Sequence, residues 1–476
     1  MRSIREIFAA ASIPFSGKEM DVTALEYDSR NCRSGSVFFA FPGIHSNGSD
    51  HIADAIEHGA VAVVAETQVA CPVPLYVTKN VHHAFALMCA AFHDYPARRL
   101  TIIGVTGTDG KSTTCEYLHQ LLLEQGIHSG LIGTVSLDNG NGKGPSPYRQ
   151  STPEAGELQG FLHDCVENGL SVVILECTSH ALSPAYDRLA GITYDIAIVT
   201  TVTSEHLEFH KTLASYVDAK CNLVRRVKDG GTFIGTRDNP HLDEFLEKAN
   251  PKARHIIIGD DLTVEKKEAS FLWKGTEYPV SVGEPVLVGN AILAAVAASV
   301  LTKTTLSSNF IRLSHLGPVD GRMVRIPNDR GLILLIDFAH TADAYAKLFP
   351  FIAGKKGSGR LLALFGCAGE RDTSKREPMG KIASHYADAL FLTDEDPRQE
   401  GIVAIDRDIL RSAEKKPFFE IEDRRKAIRA MLAYAKKGDT LLFLGKGHEH
   451  SIEKNGKKYP WNEREEVVSA LKESLS

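Results

Sequence analysis

The chain has 476 residues, of which 43% are hydrophobic and 24% are charged, and this composition excludes a mainly disordered protein. At roughly 100–200 residues per domain, the length predicts two to four domains, and we expect three. The 54 Lys and Arg residues against 60 Asp and Glu give a net charge of −6, which disfavours binding to nucleic acid or to an anionic membrane surface through overall charge.

Short apolar runs alternate with helical patterns along the chain, which is typical of an α/β protein with a largely parallel sheet. Before residue 98, the runs SVFFAF, AVAVVA and LYVT predict a smaller mixed α/β unit. Beyond it, continuous apolar runs predict buried strands at 101–106, 171–175, 195–200, 255–258, 332–336, 361–365, 389–392 and 440–444. Helical spacing predicts helices over 111–125 and 381–386. Breaks near 97–100 and 318–322 predict domains 1–98, 99–321 and 322–476.

The start of the chain and its cysteines indicate a cellular location. The apolar stretch 7–13 is short and follows the mixed-charge opening MRSIRE, so neither a signal peptide nor a membrane span is predicted. The eight cysteines are scattered without a CxxC pair, and several lie inside apolar runs. This pattern favours buried free thiols over a metal site or disulfides, and we expect a cytoplasmic protein.

Polar or glycine-rich segments directly follow six of the predicted strands. In open α/β sheets, ligands bind beyond the carboxyl ends of the strands. The segments are GTDGKST at 107–113, ECTSH at 176–180, TVTSEH at 201–206, DFAH at 337–340, GCAGERD at 366–372 and GKGHE at 445–449. Six such segments in register with six strands predict active-site loops.

The segment GTDGKS between a predicted strand and a predicted helix has the chemistry of a phosphate-binding loop. Gly107 and Gly110 let backbone N–H groups approach phosphate oxygens, Lys111 can reach the outer phosphates, and the Ser112 hydroxyl can bind Mg²⁺. A glycine-rich turn can also be a turn and nothing more. Val105 occupies the first glycine position of the GxxxxGK[ST] pattern, so the motif alone does not identify a standard GTPase or kinase.

Three further side chains are candidates for binding a metal ion near the phosphates. Glu176 and His206 end strands that could neighbour the phosphate-loop strand, and Lys220 lies fourteen residues beyond His206 on a predicted helix. A carboxylate and an imidazole near a triphosphate are natural Mg²⁺ ligands. Taken singly, each also has a structural interpretation: a solvated charge, a helix cap and a surface lysine.

The ordered motifs resemble those of the Mur ligases, ATP-dependent amide-bond-forming enzymes of peptidoglycan precursor synthesis. Within the family, the chain is most similar to the UDP-N-acetylmuramoyl-tripeptide synthetases, which add the third residue of the stem peptide. The motifs are EYDSR, FFAFPGIHSNGSDHI, GTDGKSTT, STPE, LECTSHAL, SEHLEFH, AKCNLV, GNAILAAVAA, DGRM, DFAHTADA, GCAGERDTSKREPMG, DEDPR and GKGHE. They cover nearly the whole chain.

The resemblance implies a fold and a reaction. The fold would comprise a small mixed α/β N-terminal domain for the UDP-sugar, a central P-loop-type and mostly parallel sheet with flanking helices for ATP, and a C-terminal Rossmann-like α/β domain for the amino acid. ATP would phosphorylate the terminal carboxylate of UDP-N-acetylmuramoyl-L-alanyl-D-glutamate. The amino group of a diamino acid (lysine, ornithine or meso-diaminopimelate) would then attack the acyl phosphate. We expect a cytoplasmic monomer with no nucleic-acid or membrane partner.

The resemblance also implies roles for individual residues. The expected ATP-binding residues are Gly107, Thr108, Gly110, Lys111, Ser112, Thr113, Asn290, Arg322, Asp337 and His340. Two Mg²⁺ ions would be held by Ser112, Glu176, His206 and Lys220, with Lys220 carbamylated, and Lys111, His206 and Lys220 would be catalytic. The UDP-muramoyl dipeptide would contact Ser29, Arg30, Ser151, Thr152, Thr178 and Arg188. The incoming amino acid would contact Arg371, Glu395, Asp396, Arg398, Gly445 and Glu449.

Two departures from the family pattern concern the phosphate site. Asp109 replaces the Asn of the usual GTNGK, and its acid would weaken ATP binding or raise the Mg²⁺ requirement. Ser204 and Glu205 replace the Arg-Asp that usually precedes the metal-site histidine, which removes a positive charge. The effect of the second change stays open.

Two more departures concern the amino-acid pocket. Relatives that add diaminopimelate have DNPR where this chain has Glu395-Asp396-Pro397-Arg398. Arg398 could pair with a distal carboxylate, whereas Asp396 would disfavour it and favour a distal ammonium, as in lysine or ornithine. Arg398 and Asp396 thus point to different amino acids. Diaminopimelate is slightly disfavoured but remains a possible substrate. His450 follows GKGHE where the family has a nearby glutamine.

Two other functions remain open from the sequence. The chain could be a related amide ligase of the folylpolyglutamate synthetase type, although EYDSR and HSNGSDHI favour a UDP-sugar substrate. It could also be a non-catalytic nucleotide-binding homologue, although the joint presence of Lys111, Glu176, His206 and Lys220 argues against that.

Overall fold

The computed structural model describes residues 2–43, 47–148, 150–203, 205, 207–281 and 285–473. The chain forms two compact units. The first comprises Met1–Val202 with Thr212–Leu316, and the second comprises Thr203–Lys211 with Gly317–Ser476.

The N-terminal part of the first unit is built on a four-stranded parallel sheet of order β3-β4-β5-β6. Its elements are β1 (Arg2–Ser3), α1 (Ile4–Ala10), β2 (Asp21–Val22), β3 (Ala24–Glu26), β4 (Ser36–Phe39), α2 (Ile52–Glu57), β5 (Ala60–Ala65), β6 (Leu75–Val77) and α3 (Val81–Phe92). Phe39, Val64 and Phe85 lie in its core and are essentially unexposed.

The rest of the first unit is built on an eight-stranded sheet of order β10-β9-β8-β11-β7-β12-β13-β14, in which β8 and β11–β14 run parallel to β7. A three-stranded antiparallel sheet, β15-β16-β17, accompanies it. The elements are β7 (Thr101–Thr106), α4 (Lys111–Glu124), β8 (Gly130–Ile132), β9 (Ser136–Asp138), β10 (Gly144–Pro145), α5 (Ala155–Glu167), β11 (Val172–Glu176), α6 (Ser179–Leu182), β12 (Tyr194–Val199), α7 (Leu207–His210), α8 (Leu213–Arg225), β13 (Val227–Thr236), α9 (Leu242–Lys248), β14 (Arg254–Ile258), β15 (Glu265–Lys266), β16 (Ser270–Trp273), β17 (Thr276–Pro279), α10 (Pro285–Thr302) and α11 (Leu306–Arg312). Of these, α7 belongs to the second unit.

The second unit is built on a six-stranded sheet of order β18-β19-β23-β20-β21-β22, parallel except for the β18–β19 pair. Its further elements are β18 (Val324–Ile326), β19 (Ile333–Asp337), α12 (Ala342–Lys355), β20 (Leu361–Phe365), α13 (Arg376–Tyr386), β21 (Ala389–Leu392), α14 (Ile402–Leu410), β22 (Phe418–Glu420), α15 (Arg424–Tyr434), β23 (Thr440–Leu444), β24 (Ser451–Lys454), β25 (Lys457–Pro460) and α16 (Glu463–Glu473). Apolar helix faces cover both sides of this sheet, which explains why its central strands are continuous apolar runs.

The predicted α/β class with largely parallel sheets is confirmed, and all eight predicted strands form within one or two residues of their expected bounds. Glu176 and Asp337, expected just after their strands, are instead the last strand residues, because each still pairs with the neighbouring strand. The strand Val227–Thr236 was not predicted, since its opening VKDGG is charged and glycine-rich. Among the described residues, no helix is long and apolar enough to cross a membrane.

Candidate active site

Two glycines shape the loop between β7 and α4. Gly107 has a φ of +153°, and a Cβ atom there would lie 1.8 Å from Thr200 Oγ1. Gly110 has a φ of +82°, in the left-handed region that favours glycine, and its Cβ would lie 2.5 Å from Asn290 Oδ1. Neither position has room for a side chain, so the loop backbone packs directly against its neighbours. The predicted adenine residue Asn290 therefore lies beside the glycine that precedes α4.

The N-terminus of α4 has the donors that an anion requires. Gly110 caps this helix without a side chain, and its carbonyl accepts from Thr114 N at 2.9 Å. The N–H groups of residues 111–113 therefore point out of the helix end, where the dipole favours negative charge. Lys111 Nζ donates to the Thr108 carbonyl at 2.8 Å, and Ser112 is buried in the first turn. These donors suit the phosphates of a nucleotide.

The carboxylate of Glu176 lies against this helix end. Its oxygens accept from Ser112 Oγ at 3.1 Å and from both N and Oγ1 of Thr134 at 2.9 Å. A Cβ on Gly133 would lie 2.8 Å from Glu176 Oε2, so the carboxylate needs a glycine beside it. A hydroxyl and a carboxylate, both hard oxygen donors, fit Mg²⁺.

The predicted metal ligand His206 lies outside the described residues, as does Ser204. Within the described ranges, no group of three His, Cys, Asp or Glu side chains is arranged to hold a metal ion. Ser112 and Glu176 are therefore the predicted metal ligands whose oxygen atoms lie together within those ranges.

Lys220, on α8, contacts the backbone of the phosphate loop. Its Nζ donates to the Gly107 carbonyl at 2.6 Å and lies 4.6 Å from the centre of the Tyr216 ring. The Tyr216 hydroxyl is in turn 2.9 Å from Thr108 Oγ1. The residue is 1% exposed, which rules out the surface-lysine interpretation and places the amine at the predicted site.

Four of the residues predicted to contact the dipeptide join the same network. Thr152 Oγ1 donates to the Glu176 carbonyl at 2.7 Å and accepts from Thr178 N at 3.0 Å. Arg188 donates to the Thr152 carbonyl at 3.3 Å and pairs with Glu154 at 2.6 Å. Ser151 Oγ accepts from Thr134 Oγ1 at 2.6 Å, and Thr134 also bonds to Glu176.

The other two predicted dipeptide residues lie in the N-terminal part, in the 3-10 turn Ser29–Asn31. Ser29 is buried, whereas Arg30 is exposed and forms a 2.5 Å ion pair with Asp28. Their predicted role in UDP-sugar binding stays a prediction.

In the second unit, three residues predicted to contact the nucleotide cluster at the end of β19. The Asp337 carboxylate accepts from Met323 N at 2.8 Å and Ala339 N at 2.7 Å, and Arg322 lies over the Phe338 ring at 4.8 Å. Burial and the nearby Lys375 lower the pKa of His340 to about 4. The imidazole is therefore neutral near pH 7.

Glu205, one of the departures from the family pattern, approaches this cluster. Its carboxylate lies 3.8 Å from His340 Nε2, while His340 Nδ1 donates to the Phe338 carbonyl at 2.8 Å. A carbonyl only accepts, so the proton sits on Nδ1 and Nε2 faces the acid without one. The substitution thus places a negative charge beside a predicted nucleotide residue.

The residues predicted to contact the amino acid lie at the ends of β21 and β23, and a buried lysine connects them. Lys446 Nζ lies 3.0 Å from Asp396 Oδ1 and 2.5 Å from Glu449 Oε2, and the lysine side chain has no exposed surface. Asp396 also accepts from Glu453 N at 2.8 Å. Its negative charge thus has an internal partner, which the sequence did not predict. Lys446 and Glu449 stand together in the GKGHE motif, but the sequence does not show that Lys446 also pairs with Asp396.

Glu395 differs from its neighbour Asp396. It is 7% exposed, and its Oε2 atom has no hydrogen-bond partner among the described residues. Burial, opposed by Lys375 and Lys446, raises its pKa to about 7. A Cβ on Gly445, whose φ is +96°, would lie 2.9 Å from Glu395 Oε2. Glycine at 445 therefore leaves space beside an unsatisfied carboxylate.

The two predicted arginines of this pocket differ in their surroundings. Arg398 has a φ of +54°, donates to the Gly369 carbonyl at 2.8 Å and lies 3.7 Å from Glu453 Oε2. Arg371 is exposed. The Arg398 guanidinium therefore has protein partners of its own.

The two units together define an α/β protein with a nucleotide-type phosphate loop. Family models match three stretches of the chain: the Mur ligase family catalytic domain at residues 21–93, the Mur ligase middle domain at 105–287 and the Mur ligase glutamate ligase domain at 321–447.

Curated relatives match over almost the full length. A UDP-N-acetylmuramyl-tripeptide synthetase of Borrelia garinii subsp. bavariensis is 36% identical over 95% of this chain and 93% of its own. One from Roseiflexus sp. is 37% identical over 95% of both chains. A UDP-N-acetylmuramoyl-L-alanyl-D-glutamate--2,6-diaminopimelate ligase of Geobacter sulfurreducens is 31% identical over 96% of both.

Solved structures agree. A structure of a UDP-N-acetylmuramoyl-L-alanyl-D-glutamate--2,6-diaminopimelate ligase superimposes with a TM-score of 0.63 at 27% identity, covering 100% of this chain and 99% of its own. A Mycobacterium tuberculosis folylpolyglutamate synthase, at 13% identity, 81% coverage of this chain, 93% of its own and a TM-score of 0.62, shares the fold alone. The chain belongs to the Mur ligase family, and it is a ligase.

Proposed function

We propose that the chain joins a diamino acid to the terminal carboxylate of UDP-N-acetylmuramoyl-L-alanyl-D-glutamate, using ATP, in peptidoglycan precursor synthesis. Relatives over the full length carry names for this step. One structural observation carries the proposal. The Glu176 side chain bonds to Ser112 of the phosphate loop, and its carbonyl accepts from Thr152 of the predicted dipeptide site. A carboxylate bound at Thr152 would therefore lie close to the nucleotide phosphates.

A carboxylate is a poor electrophile until one oxygen becomes a phosphate leaving group. Arg188, buried and paired with Glu154, would bind and orient an acidic group of the dipeptide near Thr152. Lys111 and the N–H groups at the start of α4 would stabilise negative charge on the transferring phosphoryl group. The amine of the incoming amino acid would then attack the acyl phosphate carbon and displace phosphate.

Mg²⁺ fits Ser112 and Glu176 on the chemistry of those donors, and when bound it would neutralise phosphate charge. We also propose that Lys220 is carbamylated. Its buried Nζ beside Gly107 lies at the phosphate loop, and addition of CO2 to the neutral amine, with release of a proton, would turn a cation into an oxygen ligand for a second Mg²⁺.

The charge balance of the second unit indicates which diamino acid is added. Glu395, Asp396 and Glu449 supply three carboxyl groups against two ammonium groups, that of Lys446 and that of Lys375, which acts on Glu395, and Arg398 lies close to the Glu453 carboxylate. A distal ammonium would therefore be favoured over a distal carboxylate. We propose lysine or ornithine in preference to meso-diaminopimelate.

A phosphate-release assay tests this function. The purified chain is given UDP-N-acetylmuramoyl-L-alanyl-D-glutamate, ATP and Mg²⁺, and then lysine, ornithine or diaminopimelate in turn. We expect release that depends on both the dipeptide and the amino acid. Release with a folate and glutamate instead would favour the folylpolyglutamate alternative, and no release with any substrate would contradict a catalytic role.

A further inference from the structure

The guanidinium of Arg424, at the start of α15, lies in the interior of the second unit. Its side chain has 0% exposure, as does that of Glu463 at the start of α16. Arg424 Nε lies 2.9 Å from Glu463 Oε2, and Nη2 lies 2.7 Å from Oε1. The two planar groups thus form a bidentate pair, which fixes the orientation of the guanidinium.

The remaining donors of Arg424 reach two backbone carbonyls. Nη2 donates to the Leu444 carbonyl at 2.8 Å, and Nη1 donates to the Asp394 carbonyl at 3.3 Å. Leu444 ends β23, and Asp394 lies two residues beyond the end of β21. Because β20 lies between β21 and β23, no ladder hydrogen bonds join these two strands. The guanidinium therefore connects strand ends that the sheet itself leaves apart.

Each carbonyl immediately precedes one half of the predicted amino-acid pocket. Glu395 and Asp396 follow Asp394, and Gly445 and Lys446 follow Leu444. The two loops meet again where Lys446 pairs with Asp396 at 3.0 Å. Arg424 thus holds the bases of both loops.

Glu463 is itself held in place by the indole of Trp461, whose Nε1 donates to Glu463 Oε2 at 2.8 Å. A fully buried ion pair is a costly way to stabilise a fold, since desolvation of both charges offsets much of their attraction. Its use at the junction of two loops is better explained by the geometry that it imposes on them.

We propose that Arg424 is a positioning residue for the incoming amino acid: by binding both strand ends, it sets the spacing of loops 394–398 and 445–449. The proposal rests on the proposed function of this pocket. It predicts that loss of Arg424 weakens use of the amino acid and leaves formation of the acyl phosphate in place.

The test compares Arg424→Met and Arg424→Lys with the unchanged chain. Acyl phosphate formation is measured without amino acid, by trapping with hydroxylamine as the hydroxamate, and ligation is measured against the concentration of lysine and ornithine. We expect Arg424→Met to raise the KM for the amino acid about ten-fold or more and to change the lysine-to-ornithine preference, with hydroxamate formation within about two-fold. Arg424→Lys, which keeps a cation, should recover part of the loss.

A control ion pair lies at the opposite edge of the same sheet. Arg360 and Asp439 directly precede β20 and β23 and form a 2.6 Å ion pair. Arg360→Met should lower the melting temperature without changing the KM for the amino acid. If Arg360→Met raises that KM as much as Arg424→Met does, the effect is one of general stability and the proposal is overturned.

A second variant protects the test against misfolding. If Arg424→Met is not folded by circular dichroism, Glu463→Gln is measured instead. This substitution keeps an oxygen that can accept from Trp461 Nε1 but removes the charge that pairs with Arg424. An unchanged KM for the amino acid in whichever of the two is folded overturns the proposal. If the unchanged chain forms no hydroxamate, the proposed function fails, which is a different result.

Discussion

The phosphate loop of the first unit and the predicted amino-acid pocket of the second differ in the chemical groups that line them. Around the loop, the groups in position include backbone N–H donors, the hydroxyls of Ser112, Thr134 and Thr152, and the carboxylate of Glu176. The pocket is lined by charged side chains, with the fully buried Lys446 between Asp396 and Glu449. The loop thus has donor capacity for an anion, whereas in the pocket the carboxyl groups outnumber the ammonium groups that pair with them.

This difference explains how each site would choose its ligand. Backbone donors at a helix end bind any suitably shaped phosphate, so nucleotide binding depends on the loop conformation. In the pocket, the ligand is selected by the charge that remains after the internal pairs are counted. A substitution in the loop should therefore change catalysis, and one in the pocket should change which amino acid is used.

The largest expected effect is at Lys220, in the first region. Lys220→Ala should lower kcat about 100-fold or more, because the proposed carbamate, which would supply an oxygen ligand for Mg²⁺, is lost. Addition of a short-chain carboxylate such as acetate should restore part of the activity, measured by phosphate release. Full activity without the carboxylate would reject the carbamate role.

Glu395 tests the pocket. Glu395→Gln should raise the KM for the amino acid about ten-fold, since a charge-assisted contact to its ammonium is lost, and leave kcat for hydroxamate formation unchanged. The carboxyl has a pKa of about 7, so in the unchanged chain the KM should rise as the pH falls through 7 and the group gains its proton. A pH profile of KM from 5.5 to 8.5 measures this. Persistence of the same pH dependence in Glu395→Gln would assign it to another group.

Substitution of Asp109, in the phosphate loop, should have a smaller effect, which concerns the KM for ATP. Asp109→Asn removes an acid from a loop that faces phosphates, and we expect the KM for ATP to fall about two- to five-fold at low Mg²⁺, with a smaller change at high Mg²⁺. Titration of ATP across Mg²⁺ concentrations checks this. Equal KM values in both proteins would show that the carboxylate does not act on the nucleotide.

A substitution at Asp406, in the second unit, should change the stability of the fold without changing which amino acid is used. It is 2% exposed, its Oδ1 has no partner among the described residues, and burial with Glu420 and Asp394 nearby raises its pKa to about 7. An unfolded Asp has a pKa of about 3.9, so between these values the unfolded chain ionises first and the folded state loses stability as the pH rises.

Asp406→Asn should therefore raise the free energy of unfolding by about 2–4 kcal/mol at pH 8 and by clearly less at pH 5. Melting temperatures at both pH values measure the difference, and the KM for the amino acid should stay unchanged. A stabilisation of equal size at both pH values would rule out ionisation as its cause.

The sequence predicted the first region better than the second. A phosphate loop is a local pattern of glycines before a helix, and apolar runs show where strands lie. The positions of Gly107, Gly110 and the residues at the ends of β11 and β12 could therefore be predicted directly. The Lys446–Asp396 pair and the Arg424–Asp394 contact join residues that are 50 and 30 positions apart. Such contacts depend on which strands become neighbours, and no single stretch of sequence contains that information. For this reason the sequence shows the acid at Asp396 but not its pairing with Lys446.

The most direct test of the central claim is a competition. The chain is incubated with UDP-N-acetylmuramoyl-L-alanyl-D-glutamate, ATP, Mg²⁺ and equal concentrations of lysine, ornithine and meso-diaminopimelate, and the products are identified by mass spectrometry. The charge balance of the pocket predicts a UDP-linked tripeptide that ends in lysine or ornithine, with little diaminopimelate product. A product mainly containing diaminopimelate would contradict the account of the pocket, and the absence of any tripeptide would contradict the ligase itself.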